Sequence, residues 1–157
     1  MLRQTESGWE FPSETTLEKF VWENLSESLN IEKLAQQYVC NGERCDILGL
    51  RRNGQLVIVE LKNIEDRYII QQLTRYYANL LEDQPFSDQI DYSLPIELIA
   101  IAPNYHRHNL IDQKYSRLDF KLLNFVLKVQ EDTIYFVLQD QQQNTIFEKS
   151  VLYTPVV

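Results

Sequence analysis

Eight consecutive residues, Gln55-Leu56-Val57-Ile58-Val59-Glu60-Leu61-Lys62, read as a β-strand more firmly than any other stretch of the chain. Successive side chains of a strand alternate between its faces. Val57, Val59 and Leu61 therefore point one way, and Ile58, Glu60 and Lys62 the other. Glu60 and Lys62 stand side by side at the end of one face. Taken alone, that is also how a strand looks where it leaves a core and becomes wet.

The neighbouring segments define a fold class. Residues 14–29 carry Leu17, Phe20, Val21, Leu25 and Leu29 at helical spacing, after a Pro12-Ser13 start signal and with Thr15 and Glu18 placed for a capping box. Residues 34–40 read as a strand closed by the turn Asn41-Gly42, and residues 44–51 as a second strand. A helix over about 65–83 follows, with Ile69, Ile70, Leu73, Tyr77, Leu80 and Leu81 as its apolar stripe and Asp83-Gln84-Pro85 as its stop. Pro95–Ala102 reads as a buried strand, and His106-Arg107-His108 as a solvated loop after it. Strands over about 119–129, 133–139 and 144–153 make the remainder β-rich, and the first ten or so residues read as a loosely held arm. The order is α-β-β-β-α-β followed by a β-rich tail, which predicts an α/β domain with a mixed central sheet flanked by helices. We expect one domain over 1–157, with its core at about 13–102 and a C-terminal β extension at about 119–153.

Asp46 turns the Glu60/Lys62 pair into a candidate site. It opens the strand before the Asn53-Gly54 turn, and the hairpin register decides whether it meets Glu60. A two-residue Asn53-Gly54 turn sets Asp46 against Leu61 and turns Glu60 away. A three-residue loop, Arg52-Asn53-Gly54 with Gly54 at positive φ, sets Asp46 against Glu60 on one face. The sequence allows both. In the second register the two carboxylates have Cβ atoms about 5 Å apart. Both ionised, they repel unless a cation lies between them. A hard divalent ion takes a few carboxylate oxygens and keeps several waters. Lys62 is placed to orient a water or to neutralise charge on a phosphate.

Asp46, a hairpin and then Glu60-Leu61-Lys62, in that element order, resembles the signature of the PD-(D/E)xK nuclease superfamily, whose fold is restriction endonuclease-like. The pattern is most similar to the catalytic domain of NucS-type DNA endonucleases. Glu14 falls where the family's helical acid would fall. Ile47-Leu48-Gly49-Leu50 is similar to its apolar continuation, and Gln72-Leu73-Thr74-Arg75-Tyr76 to its Gln-Leu-x-x-Tyr element. Cys45 departs from the proline of the superfamily's name.

The resemblance, over about residues 13–102, implies a divalent-metal-dependent endonuclease acting on DNA, whether single-stranded, branched or duplex. It implies Mg²⁺ or Mn²⁺ held by Asp46, Glu60, the Leu61 backbone carbonyl and Glu14. Lys62 would position the attacking water, and Gln72, Arg75 and Tyr76 would support the site or touch the substrate. Glu18 and Glu23 rival Glu14 on the same helix, and Glu14 is also an ordinary acid for a first helical turn. The alternative is a catalytically inactive module that keeps the fold for binding or assembly.

Charge and composition limit the partners. The net charge is −8, against non-specific nucleic-acid binding. Residues 1–43 carry three basic and eight acidic groups, 44–128 eleven of each, and 129–157 one and four. A local positive groove is compatible only with the middle segment. No separate DNA-binding domain is evident, so a homodimer, a targeting partner or the fold itself would direct the enzyme. No apolar run is long enough to span a bilayer and the N-terminus lacks a signal-peptide core. Two cysteines, Cys40 and Cys45, fit a reduced cytoplasmic setting, and with His106 and His108 they match no zinc-ligand spacing.

Overall fold

The computed structural model describes residues 2–151, which form a mixed α/β fold. Nine strands and four helices occur among them. Seven strands make one sheet in the spatial order β3-β4-β5-β6-β7-β8-β9. They are Glu32–Cys40 (β3), Glu43–Leu50 (β4), Leu56–Leu61 (β5), Glu97–Ala102 (β6), Phe120–Gln130 (β7), Thr133–Gln139 (β8) and Thr145–Ser150 (β9). The outer pairs are antiparallel, whereas β5-β6 and β6-β7 run parallel. A parallel pair needs a crossover. Helix α3 (Ile69–Asp83) supplies the first and α4 (Arg107–Lys114) the second.

The two faces of β5 explain the layers. All six of its residues are buried. Val57, Val59 and Leu61 pack on Leu17, Val21, Leu25 and Leu29 of the N-terminal helices, while Leu56 and Ile58 pack on Ile69, Ile70, Leu73, Tyr76 and Leu80 of α3. Glu60 continues the row of Leu56 and Ile58 beneath α3.

Several expectations change. The helix over 14–29 is two helices, α1 (Glu14–Glu23) and α2 (Leu25–Leu29). Asn24 breaks it: its side-chain amide donates to the Phe20 carbonyl at 2.8 Å, competing with the helical backbone. The N-cap is Ser13, whose hydroxyl accepts from Thr16 N, not Thr15. Helix α3 starts at Ile69 rather than 65, because the Asp66 carboxylate accepts from Tyr68 N at 2.8 Å and holds the chain in a turn. The loop around His106 leads into a helix. His106 Nδ1 accepts from His108 N, and the Asn109 side chain accepts from His106 N. That cap has no apolar periodicity to announce it. The N-terminal arm is a hairpin, Arg3–Thr5 (β1) with Gly8–Glu10 (β2), anchored by buried Leu2 and Phe11. The β-rich tail lies in the main sheet through β6-β7, so it is continuous with the core. The expected strand over 144–153 ends at Ser150, and positions 152–153 lie outside the described residues.

Gly49 shows how closely β3 and β4 meet the chain before them. A Cβ there would stand 2.1 Å from Ile31 Cγ2, and Ile31 is itself buried. Ile31 is β-branched and has few rotamers to escape into. Gly49→Ala should therefore cost about 2 kcal/mol, read as a lower urea midpoint with an unchanged slope; an unaltered midpoint would refute this account of the packing.

Candidate active site

The hairpin register is the one that brings Asp46 to Glu60. Ile47 pairs with Val59, Leu48 with Ile58, Gly49 with Val57 and Leu50 with Leu56. Arg51 N bonds the Gln55 carbonyl at 2.9 Å, leaving Arg52-Asn53-Gly54 as a three-residue loop with Gly54 at φ +89°. One step beyond the Ile47–Val59 pair, Asp46 replaces the backbone ladder with its side chain. Its Oδ2 accepts from Leu61 N at 2.8 Å, and its Oδ1 accepts from Gln37 Nε2 at 3.2 Å.

Strict alternation does not hold at Asp46. Cys45 and Leu48 both join the core under α3, while Ile47 joins the opposite one. The partner strand is distorted at the same level, with Gln37 at φ +50°. Asp46 consequently lies at a break in β4, not flat on Glu60's face. It borders a cavity of about 230 Å³ lined by Glu14, Thr15, Glu18, Gln37, Asp46 and Leu61.

Glu60 is 2% exposed. Its Oε2 accepts from the Tyr76 hydroxyl at 3.0 Å, and its Oε1 is buried with no hydrogen-bond donor among the described residues. Burial first, and then the adjacent Asp46 carboxyl, push the Glu60 carboxyl up to about 10; Lys62 and the Tyr76 bond oppose the rise. Without a cation the folded protein thus keeps a proton on Glu60 that the unfolded chain releases near pH 4.5. The folded state binds more protons between those values, so its stability falls as pH rises from about 4.5 to about 10. The slope should reach at most about 1.4 kcal/mol per pH unit. Thermal melts in EDTA across that range test this, and a melting temperature rising steadily with pH would contradict it.

Lys62 follows β5 and stays in register, its N–H bonding the Ile101 carbonyl. Its Nζ lies 3.6 Å from Asp66 Oδ2, and its side chain is 14% exposed. Gln72 and Tyr76 share one side of α3. Gln72 is half-buried, and its Oε1 is a second buried acceptor without a donor. Arg75 is exposed and held by Glu43 at 2.6 Å, away from Glu60. Glu14 is exposed at the start of α1. Glu18, its rival, is the more engaged acid. Gln36 and Gln37 donate to it, and burial together with the Asp46 charge raises its pKa.

Gln37, which joins Glu18 to Asp46, was not singled out by sequence. Its only signal is a polar residue in a strand, and its left-handed backbone is visible only in three dimensions. Among the described residues no group of three His, Cys, Asp or Glu side chains is arranged to hold a metal. The donors that do fit a hard cation are Asp46 and Glu60, with the partnerless Oε1 as the acceptor most in need of one. A larger hollow of about 520 Å³ lies at the opposite end of the parallel strands, lined in part by Gln55, Pro95, Glu97 and Asp119.

The architecture defines a class, a mixed α/β nuclease-type fold. No family model and no curated protein matches the sequence. Solved structures do match. EndoMS in a complex with double-stranded DNA aligns with TM-score 0.56 and 20% identity, over 71% of this chain and 44% of that one. A repair endonuclease from Pyrococcus abyssi aligns with TM-score 0.52 and 18% identity, over 69% and 45%. EndoMS in its apo form aligns with TM-score 0.51 and 22% identity, over 69% and 44%. The chain is thus structurally similar to EndoMS-type nuclease-fold proteins over about 70% of its length, and it spans less than half of theirs.

Proposed function

We propose that this chain is a restriction endonuclease-like, divalent-metal-dependent endonuclease that hydrolyses phosphodiester bonds in DNA. The observation that carries the reading is Glu60: a carboxylate buried under α3, one oxygen unpartnered, pressed against Asp46 and adjacent to Lys62. Burying Glu60 beside Asp46 costs the metal-free protein stability, which a bound cation would restore. The likeness to structures described as EndoMS bound to DNA and as a repair endonuclease supports the same substrate class.

Asp46 and Glu60 would hold Mg²⁺ or Mn²⁺, with the Leu61 carbonyl and one acid of α1, Glu14 or Glu18, completing the protein's share. When bound, the ion supplies Lewis-acid polarisation of the phosphate and a more acidic water. Tyr76 fixes the Glu60 carboxylate through its hydroxyl. Gln37 fixes Asp46 from the other side. Lys62, set by its backbone bond to β6 and by Asp66, donates from Nζ to the attacking water or to a phosphate oxygen. The water oxygen bonds to phosphorus as the ester P–O bond on the far side breaks; the attacking water gives up one proton to solvent, and the departing oxygen takes one from it. We place this activity in the cytoplasm.

One feature favours the alternative of an inactive binding module: both Asp46 oxygens already accept hydrogen bonds from the protein. Cleavage assays decide between them. Single-stranded, branched and plasmid DNA, incubated with Mg²⁺ or Mn²⁺, should be cut by the wild type and not in EDTA, and Lys62→Ala should slow the cut by about a hundredfold. No cleavage of any substrate, with no metal bound at Asp46 and Glu60 by calorimetry, would sink the enzyme reading.

A further inference from the structure

Helix α4 is built inside out. Its one fully buried residue is Asn109, at 0% exposure, while Leu110 and Ile111 are 45% and 38% exposed. The outward positions, Arg107, Leu110, Ile111 and Lys114, fall at i, i+3, i+4 and i+7 and form a single stripe. Beyond the helix the stripe continues into Tyr115, which is 77% exposed with Lys114 Nζ 5.5 Å from its ring centroid, and into exposed Arg117. The helix's acid, Asp112, is half-buried, lies outside the stripe and accepts from Gln71 of α3 at 3.3 Å. In a chain of net charge −8, this face presents three basic side chains interleaved with apolar and aromatic surface.

The same helix is fastened to the candidate site. The buried Asn109 amide donates to the Asp66 carbonyl at 3.0 Å. Asp66 in turn pairs with Lys62 through its side chain. One residue thus joins α4 to the cation that would meet the scissile phosphate. Asn109 is capped into the start of α4 by its bond from His106 N, so the helix cannot turn its stripe inward without breaking two partly buried hydrogen bonds.

We propose that the outer face of α4, with Tyr115 and Arg117, is the surface that grips the DNA strand next to the active site, at a stretch whose bases are unpaired. This inference rests on the reading of the site as one that acts on DNA, and it adds where the strand is held. Basic side chains at one-turn spacing follow a phosphate backbone, and an exposed aromatic ring stacks on a base only when that base has left its partner. A second copy of this chain is the poorer occupant, because the stripe would set like charges against one another.

The test is fluorescence anisotropy of the full chain in EDTA with a fluorescein-labelled single-stranded oligonucleotide and with the corresponding duplex. Arg107→Glu/Lys114→Glu should weaken binding to both at least about tenfold at about 0.1 M salt and lower the slope of log K against log salt by about 2. Tyr115→Ala should weaken the single strand about tenfold and the duplex less. Far-UV circular dichroism checks that the variants are folded, since Asn109 and the buried side of α4 are untouched. Unchanged affinity and slope in the folded double variant would overturn the proposal, as would a wild type that binds neither DNA, or one that buries the stripe in a stable dimer. Cleavage assays on the same proteins keep the two readings apart. Wild type that binds through α4 and never cuts leaves this inference standing without the nuclease. Wild type that cuts, with α4 variants that bind and cut equally well, removes this inference and leaves the nuclease.

Discussion

Exchanging Glu60 for Gln should lower metal-dependent cleavage by about a hundred- to a thousandfold while making the metal-free protein more stable. The two effects have one origin. Glu60 is buried beside the Asp46 carboxyl, and in the metal-free protein it keeps a proton that the unfolded chain releases, which costs folding stability at pH 8. A glutamine has the same shape, carries no charge and brings donors that can meet Asp46, while its carbonyl still accepts from Tyr76. At pH 8 we expect the melting temperature in EDTA to rise by at least about 3 °C, corresponding to roughly 1 kcal/mol or more. The fall in stability between pH 4.5 and 10 should flatten, because the titrating group is gone. Added Mg²⁺ should raise the melting temperature of the wild type and leave that of the variant unmoved. A Glu60→Gln protein that is both less stable and fully active would show Glu60 to be an ordinary structural acid.

The second large effect lies at the other end of the chain. Phe136→Ala should cost about 3–5 kcal/mol. Phe136 is 2% exposed on β8, and its ring meets four others: Phe20 at 4.8 Å, Phe125 at 5.6 Å, Phe11 at 6.1 Å and Phe147 at 6.3 Å between centroids. Phe20 belongs to α1, the helix that carries Glu14 and Glu18. A cavity at Phe136 therefore loosens the seat of that helix as well as the sheet. We expect one unfolding transition, at a lower urea midpoint, coincident by tryptophan fluorescence and far-UV circular dichroism. A loss below about 1 kcal/mol, or two separate transitions, would mean that β7, β8 and β9 fold as a unit of their own.

The strand over 55–62, the helix carrying Leu73 and Leu80, and the closeness of Asp46 to Glu60 and Lys62 were legible in the sequence because each rests on local periodicity or on spacing within one hairpin. The hairpin register reduces in the sequence to a choice between two loops, since Gly54 accommodates either. Elements without apolar rhythm were not legible: α4, which exposes its leucine and isoleucine and buries an asparagine, and the N-terminal hairpin, held by Leu2 and Phe11.

By itself, then, the sequence determined the order of elements and the chemical identity of Asp46, Glu60 and Lys62, because alternation and helical spacing are properties of a few adjacent residues. Tertiary structure alone decided three things. It drew β7, β8 and β9 into the main sheet through parallel pairing with β6, a contact made between residues far apart in the chain. It broke the alternation at Asp46 by setting Gln37 in a left-handed conformation opposite. And it left Glu60 Oε1 buried without a donor among the described residues, since whether a carboxylate oxygen is satisfied depends on which side chains of other elements reach it, and Tyr76 reaches only Oε2.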